Sequence, residues 1–155
     1  TGALFRISTE LAAVLNNCRP DEILALRNYG DALGIAYQIY DDCLDLVGTE
    51  GATGKTVGTD LAKGKLTLPI LHVLAQASDA ERERLHSIIL HGSEENRTEL
   101  LAQVVERGGL KKSVRRIQSY LDQAVASLQV LPKSGFRDTL EGVPRAVAEH
   151  VGTLG

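Results

Sequence analysis

The sequence predicts an all-α fold, a helical bundle. Apolar residues recur at spacings of three and four along nearly the whole chain, period-two alternation is almost absent, and glycine, proline and small polar residues cut the pattern into helix-length pieces. At 155 residues, 43% hydrophobic and 24% charged, the chain is long enough to bury one real core.

A first helix is expected over about 1–17, on Leu4, Ile7, Leu11, Val14 and Leu15. "CRPD" breaks it, and Pro20 suits the first turn of the next helix. That helix, about 20–47, carries Ile23, Leu24, Leu33, Ala36, Tyr37, Ile39, Tyr40, Leu44 and Leu46. These cover too much of its circumference for a one-faced surface helix, so it is expected to be central. From Gly48 to Leu66 the periodicity stops, and glycines at 48, 51, 54, 58 and 64 punctuate the segment. An aperiodic stretch of that length in a compact domain is often a lid or a binding loop. Thr67 can cap the following helix, with Pro69 in its first turn and "ILHVLAQA" as its apolar body. Shorter helices follow over about 79–91, 94–107, 109–130 and 134–152, separated by "HGS", "GG" and "LPKSG".

Several function classes are excluded. A net charge of −3 with aromatics at 4% does not make a nucleic-acid surface, which needs a basic stripe and stacking rings. No run of apolar residues is long enough for a membrane span, and no basic n-region precedes a short apolar stretch, so neither a span nor a signal peptide is expected and the expected compartment is cytoplasmic. The chain starts inside a helical pattern and contains no Met, and it reads as a piece of a longer protein. Cys18 and Cys43 belong to no metal-binding pattern and read as reduced thiols. His72, His86, His91 and His150 lack ligand spacing, and "LKKSVRR" at 110–116 reads as a solvated helix face.

Chemistry concentrates in two clusters. In "QIYDDCLD", Asp41 and Asp45 share a helix face, with Gln38 one turn earlier and Asp42 beside them. Like charges at this spacing cost only about 0.2–0.5 kcal/mol in water, but about 3 kcal/mol at ~6 Å and an effective dielectric of ~20. A hard cation such as Mg²⁺ removes that repulsion, since it takes one or two carboxylates and fills its shell with water and phosphate oxygens. The second cluster is Lys55, Lys63 and Lys65, half of the chain's lysines, in the segment leaving the aspartate helix. Neighbouring acidic and basic clusters suggest one shared ligand that holds both a cation and an anion. "GATGKT" is not a P-loop, because position 49 is Thr where that motif needs Gly, and a helix precedes it where a strand is required.

"YQIYDDCLDLVG" followed by "GKTVGTDLAKGKLTLP" resembles the second aspartate-rich motif, and the loop after it, of the trans-type isoprenyl diphosphate synthases, or polyprenyl synthetases. The resemblance is close over about residues 1–77. It implies that residues 1–155 form the C-terminal portion of a polyprenyl synthetase domain, half of an isoprenoid-synthase-type fold, with the first aspartate-rich motif upstream. It further implies a Mg²⁺-dependent prenyltransferase, usually a homodimer, that joins an allylic diphosphate to isopentenyl diphosphate. Asp41 would ligate Mg²⁺ directly, with Asp42 and Asp45 helping directly or through water, and Asp60 would support the metal's waters. Lys55 and Lys65 would bind the allylic diphosphate, Gln38 would face the reacting carbons, and Thr1 would line the active-site wall. A class I terpene cyclase shares the scaffold, but its second metal motif is usually an Asn/Ser/Glu pattern. A non-catalytic subunit of a heteromeric synthase usually shows eroded aspartates, which are intact here.

Overall fold

The computed structural model describes residues 1–47 and 58–154. Its helices are α1 (Gly2–Leu15), α2 (Pro20–Val47), α3 (Thr59–Ala62), α4 (Leu68–Leu74), α5 (Asp79–His91), α6 (Glu94–Glu106), α7 (Gly109–Ser127) and α8 (Gly135–Val151), with 3₁₀ turns at Leu128–Val130 and Gly152–Leu154. Among the described residues there is no strand. The fold is all-α, as the periodicity predicts.

Local chemistry sets the ends. Pro20 opens α2, with Asp21 and Glu22 in the first turn, where negative charge meets the unpaired N–H groups. Ser78, Ser93 and Ser134 cap α5, α6 and α8, each hydroxyl accepting from the N–H three residues on, those of Glu81, Asn96 and Arg137. Thr67 differs from its expected role. It occupies the N-cap position of α4, with Pro69 just inside, but its hydroxyl is buried and makes no capping bond. The segment expected to be aperiodic as far as Leu66 contains α3, a single helical turn pinned by the buried Leu61.

The chain divides into two compact units. The first comprises Thr1–Gln38 and Arg116–Thr153. Here α1 packs closely against the middle of α2. A Cβ added at Gly34 would lie 2.8 Å from the Gly2 Cα, and one at Gly30 would lie 2.6 Å from the Phe5 carbonyl oxygen. Tyr29, buried on α2, donates its hydroxyl to the Leu140 carbonyl on α8 at 2.8 Å. The apolar residues that define α1 in the sequence are largely exposed: Leu4 at 70%, Leu15 at 71%, and Ile7, Leu11 and Val14 near one half.

The second unit comprises Ile39–Arg115 with the final two residues. Leu46 at the end of α2 packs into a core with Leu61, Ile70, Val73, Leu74, Leu85, Ile89, Leu100 and Val104, drawn from α3 to α6. This core holds the end of the aspartate helix and the α3 turn in place, and so positions the polar groups described next.

Candidate functional site

Asp41, Asp42 and Asp45 sit on the last turns of α2, where burial alternates sharply. Asp42 is 8% exposed, Cys43 and Leu46 are buried, and Asp41 and Asp45 are half-buried. Leu46 and Cys43 anchor the helix inward, so the carboxylates stand at the border of the core.

The chain returns to this helix end at Gly58, whose N–H donates to the Asp45 carbonyl at 2.7 Å. Gly58 has φ 77°, a left-handed backbone that favours glycine, and it starts α3. The Asp45 carboxylate then receives α3: Oδ1 accepts from the Thr59 hydroxyl at 2.6 Å, and Oδ2 accepts from the Asp60 N–H at 2.9 Å. After α3, Gly64 at φ 72° turns the chain, and the Lys65 N–H donates to the Asp60 carbonyl at 2.9 Å. That turn aims the Lys65 ammonium between two carboxylates, Asp42 Oδ1 at 2.9 Å and Asp60 Oδ2 at 2.8 Å.

These bonds hold the Lys65 ammonium above the ordinary lysine range, the hydrogen bond it donates to Asp60 contributing most and that to Asp42 next. Lys65 is therefore cationic throughout the neutral range. Its side chain is 45% exposed, so solvent screening leaves each ion pair worth at most about 1 kcal/mol. The arrangement orders charge more than it stabilises the fold.

The structure thus brings together Asp42, Asp45, Asp60 and Lys65, all named from the sequence. Lys63 ends α3 exposed to solvent. Lys55 lies outside the described residues. Thr1 and Gln38 meet in the first unit, the Thr1 hydroxyl donating to Gln38 Oε1. Two features escape the sequence reading. Asp42 and Lys65 pair directly, where a ligand between them is expected, and Thr59 is a partner of Asp45. The dipeptide Thr59–Asp60 after a glycine was the available signal, since such residues start helical turns.

Among the described residues, no group of three or more His, Cys, Asp or Glu side chains is arranged to cage a metal ion. The donor chemistry nonetheless fits Mg²⁺, which needs one or two carboxylates and not an all-protein cage. Every candidate donor is a hard carboxylate oxygen, and a cation, the Lys65 ammonium, already bridges two of them.

A family model described as polyprenyl synthetase matches residues 1–107. The short chain isoprenyl diphosphate synthase of Methanothermobacter thermautotrophicus is 37% identical over 151 residues, which are 97% of this chain and 46% of that protein. Among solved structures, a decaprenyl diphosphate synthase from Rhodobacter capsulatus superposes with a TM-score of 0.87 at 34% identity, covering 97% of this chain and 47% of that one. A polyprenyl synthase from Caulobacter crescentus, complexed with calcium and isoprenyl diphosphate, gives 0.83 at 32%, covering 94% and 45%. The chain spans about half the length of the relatives it matches. Because the family model and these relatives all run through the aspartate helix and the lysine-bearing turn, the chain belongs to the polyprenyl synthetase family.

Proposed function

We propose that the protein carrying this chain is a Mg²⁺-dependent prenyltransferase that elongates an allylic diphosphate with isopentenyl diphosphate, and that this chain supplies one half of the active site. The observation that supports it most is the Lys65 ammonium held between Asp42 and Asp60 at the end of the aspartate helix. A cation fixed among carboxylates suits a ligand that brings both metal and diphosphate, because the lysine can exchange a carboxylate oxygen for a phosphate oxygen with little movement. The relative from Caulobacter crescentus, complexed with a divalent cation and isoprenyl diphosphate, points the same way.

Asp41 is assigned the direct metal bond, with Asp42 and Asp60 supporting the metal's waters. Mg²⁺, when bound, would supply positive charge against the departing diphosphate. Lys65, and Lys55 from the segment outside the described residues, would bind the diphosphate of the allylic substrate and neutralise the charge that grows as its C–O bond breaks. Gln38, oriented by Thr1, would face the reacting carbons, and the apolar interior of the helical bundle would keep water from the allylic cation. The partner is a second copy of the protein, and the compartment is the cytoplasm. No described helix is long and apolar enough to cross a membrane.

The test is substitution in the protein with labelled isopentenyl diphosphate as the readout. Asp41→Asn and Lys65→Ala should each lower turnover by about 10²–10³, the usual loss when a charge-stabilising contact leaves a water-poor site. Lys63→Ala should change it little. Undiminished turnover in both site variants would discard this reading.

A further inference from the structure

We infer that Asp45 is a positioning residue, which sets the α3 turn so that Asp60 and Lys65 face Asp42, and that it does not serve as a metal ligand. The inference rests on the proposed function for what the turn is positioned to do, but its geometry stands apart from that reading.

Both carboxylate oxygens of Asp45 face the returning chain. Oδ1 takes the Thr59 hydroxyl at 2.6 Å and Oδ2 takes the Asp60 N–H at 2.9 Å, while the Asp45 carbonyl takes the Gly58 N–H at 2.7 Å. Three consecutive residues of the turn are thereby bound to one residue of α2. No residue of α3 itself caps its start, since its N-cap is Gly58, which has no side chain to do so. Asp45 takes that place from another helix. A four-residue helix cannot persist on its own hydrogen bonds, so its position depends on such outside contacts. The consequence reaches the charged groups in two bonds: Asp60 follows Thr59 directly, and the Lys65 N–H is tied back to the Asp60 carbonyl at 2.9 Å. If Asp45 lets go, Asp60 and Lys65 lose their register opposite Asp42.

A positioning role and a ligand role differ in what asparagine can replace. The Asp45→Asn amide keeps an oxygen for the Asp60 N–H and presents an NH₂ to the Thr59 hydroxyl, which can rotate to accept. Both bonds survive, and only the negative charge is lost. A metal ligand needs that charge. The experiment therefore sets Asp45→Asn, Asp45→Ala and Thr59→Val beside Asp41→Asn, with two readouts. Amide hydrogen exchange of residues 58–65 is measured on this chain without metal, and turnover with its Mg²⁺ dependence is measured on the protein. We expect Asp45→Ala and Thr59→Val to speed exchange of the Asp60 amide by about tenfold or more, and Asp45→Asn to restore protection to within about threefold. Turnover should follow the same order, with Asp45→Asn at least about tenfold more active than Asp41→Asn and half-saturated at an unchanged Mg²⁺ concentration. Intact protection in Asp45→Ala would overturn the inference. So would an Asp45→Asn variant with protected amides that loses as much turnover as Asp41→Asn. Full turnover in Asp41→Asn and Lys65→Ala would instead reject the prenyltransferase reading and leave the exchange result to decide the role of Asp45.

Discussion

Cys43 has no exposed surface, and burial pushes its thiol up to about 12, with the neighbouring Asp42 charge adding to the shift and a hydrogen bond with Ser113 opposing it. At pH 8 only roughly 10⁻⁴ of such a thiol is thiolate. We expect a thiol reagent at that pH to label the partly exposed Cys18 in the folded chain and to label Cys43 only after denaturation, as read by mass spectrometry of the peptides. The sign of the pH effect follows from the same shift. A group whose folded pKa is raised contributes its full stability below its unfolded pKa, so the Cys43 contribution is present at neutral pH and is lost between about pH 9 and about 12. Residue identity was legible at this scale, but bonding was not. The sequence picks out Asp42, Asp60 and Lys65 by their clustering, yet a separation of 23 positions between Asp42 and Lys65 says nothing of a 2.9 Å pair. Only the return of the chain at Gly58 creates it.

At the scale of elements, periodicity is a dependable signal where a helix makes several turns. The long α2 is expected over about 20–47 and observed at Pro20–Val47. The four-residue α3 has no period to display, because one turn samples each face once. Helix contacts also depend on what faces them, and glycines expose this. At Gly34 an added methyl meets the Gly2 Cα and Phe5 Cβ below 3.0 Å, whereas at Gly142, inside α8, it meets nothing within 4 Å. Gly34→Ala should therefore destabilise the chain by about 1–3 kcal/mol, because forced separation of α1 and α2 outweighs the gain in helix propensity. Gly142→Ala should stabilise it by about 0.5–1 kcal/mol. Urea unfolding of the two variants checks both signs.

For the whole molecule, the sequence contains a single aspartate cluster, and the chain spans about half the length of its relatives. We expect the 155-residue chain by itself to give no measurable prenyl transfer, with labelled isopentenyl diphosphate and an allylic primer as the assay. Appreciable turnover would show that one cluster suffices. The sequence by itself determined the all-α class, the long second helix, the family and the names of the charged residues. The class, the helix and the charged residues follow from local spacing and the family from the resemblance of two motif strings, because hydrophobic period, helix punctuation and motifs are all written along the chain. It did not determine which apolar faces are covered. The stripe Leu4, Ile7, Leu11, Val14 and Leu15 marks α1 as a helix with a face to bury, yet that face lies largely exposed here. Nor did it determine that Asp45 receives the α3 turn or that Lys65 closes on Asp42. Such contacts join residues 14 to 23 positions apart, and their geometry depends on two left-handed glycines and on the packing of Leu46 and Leu61 in one core. A sequence pattern states which residues can bind one another, and only the folded backbone brings the chosen pairs within bonding distance.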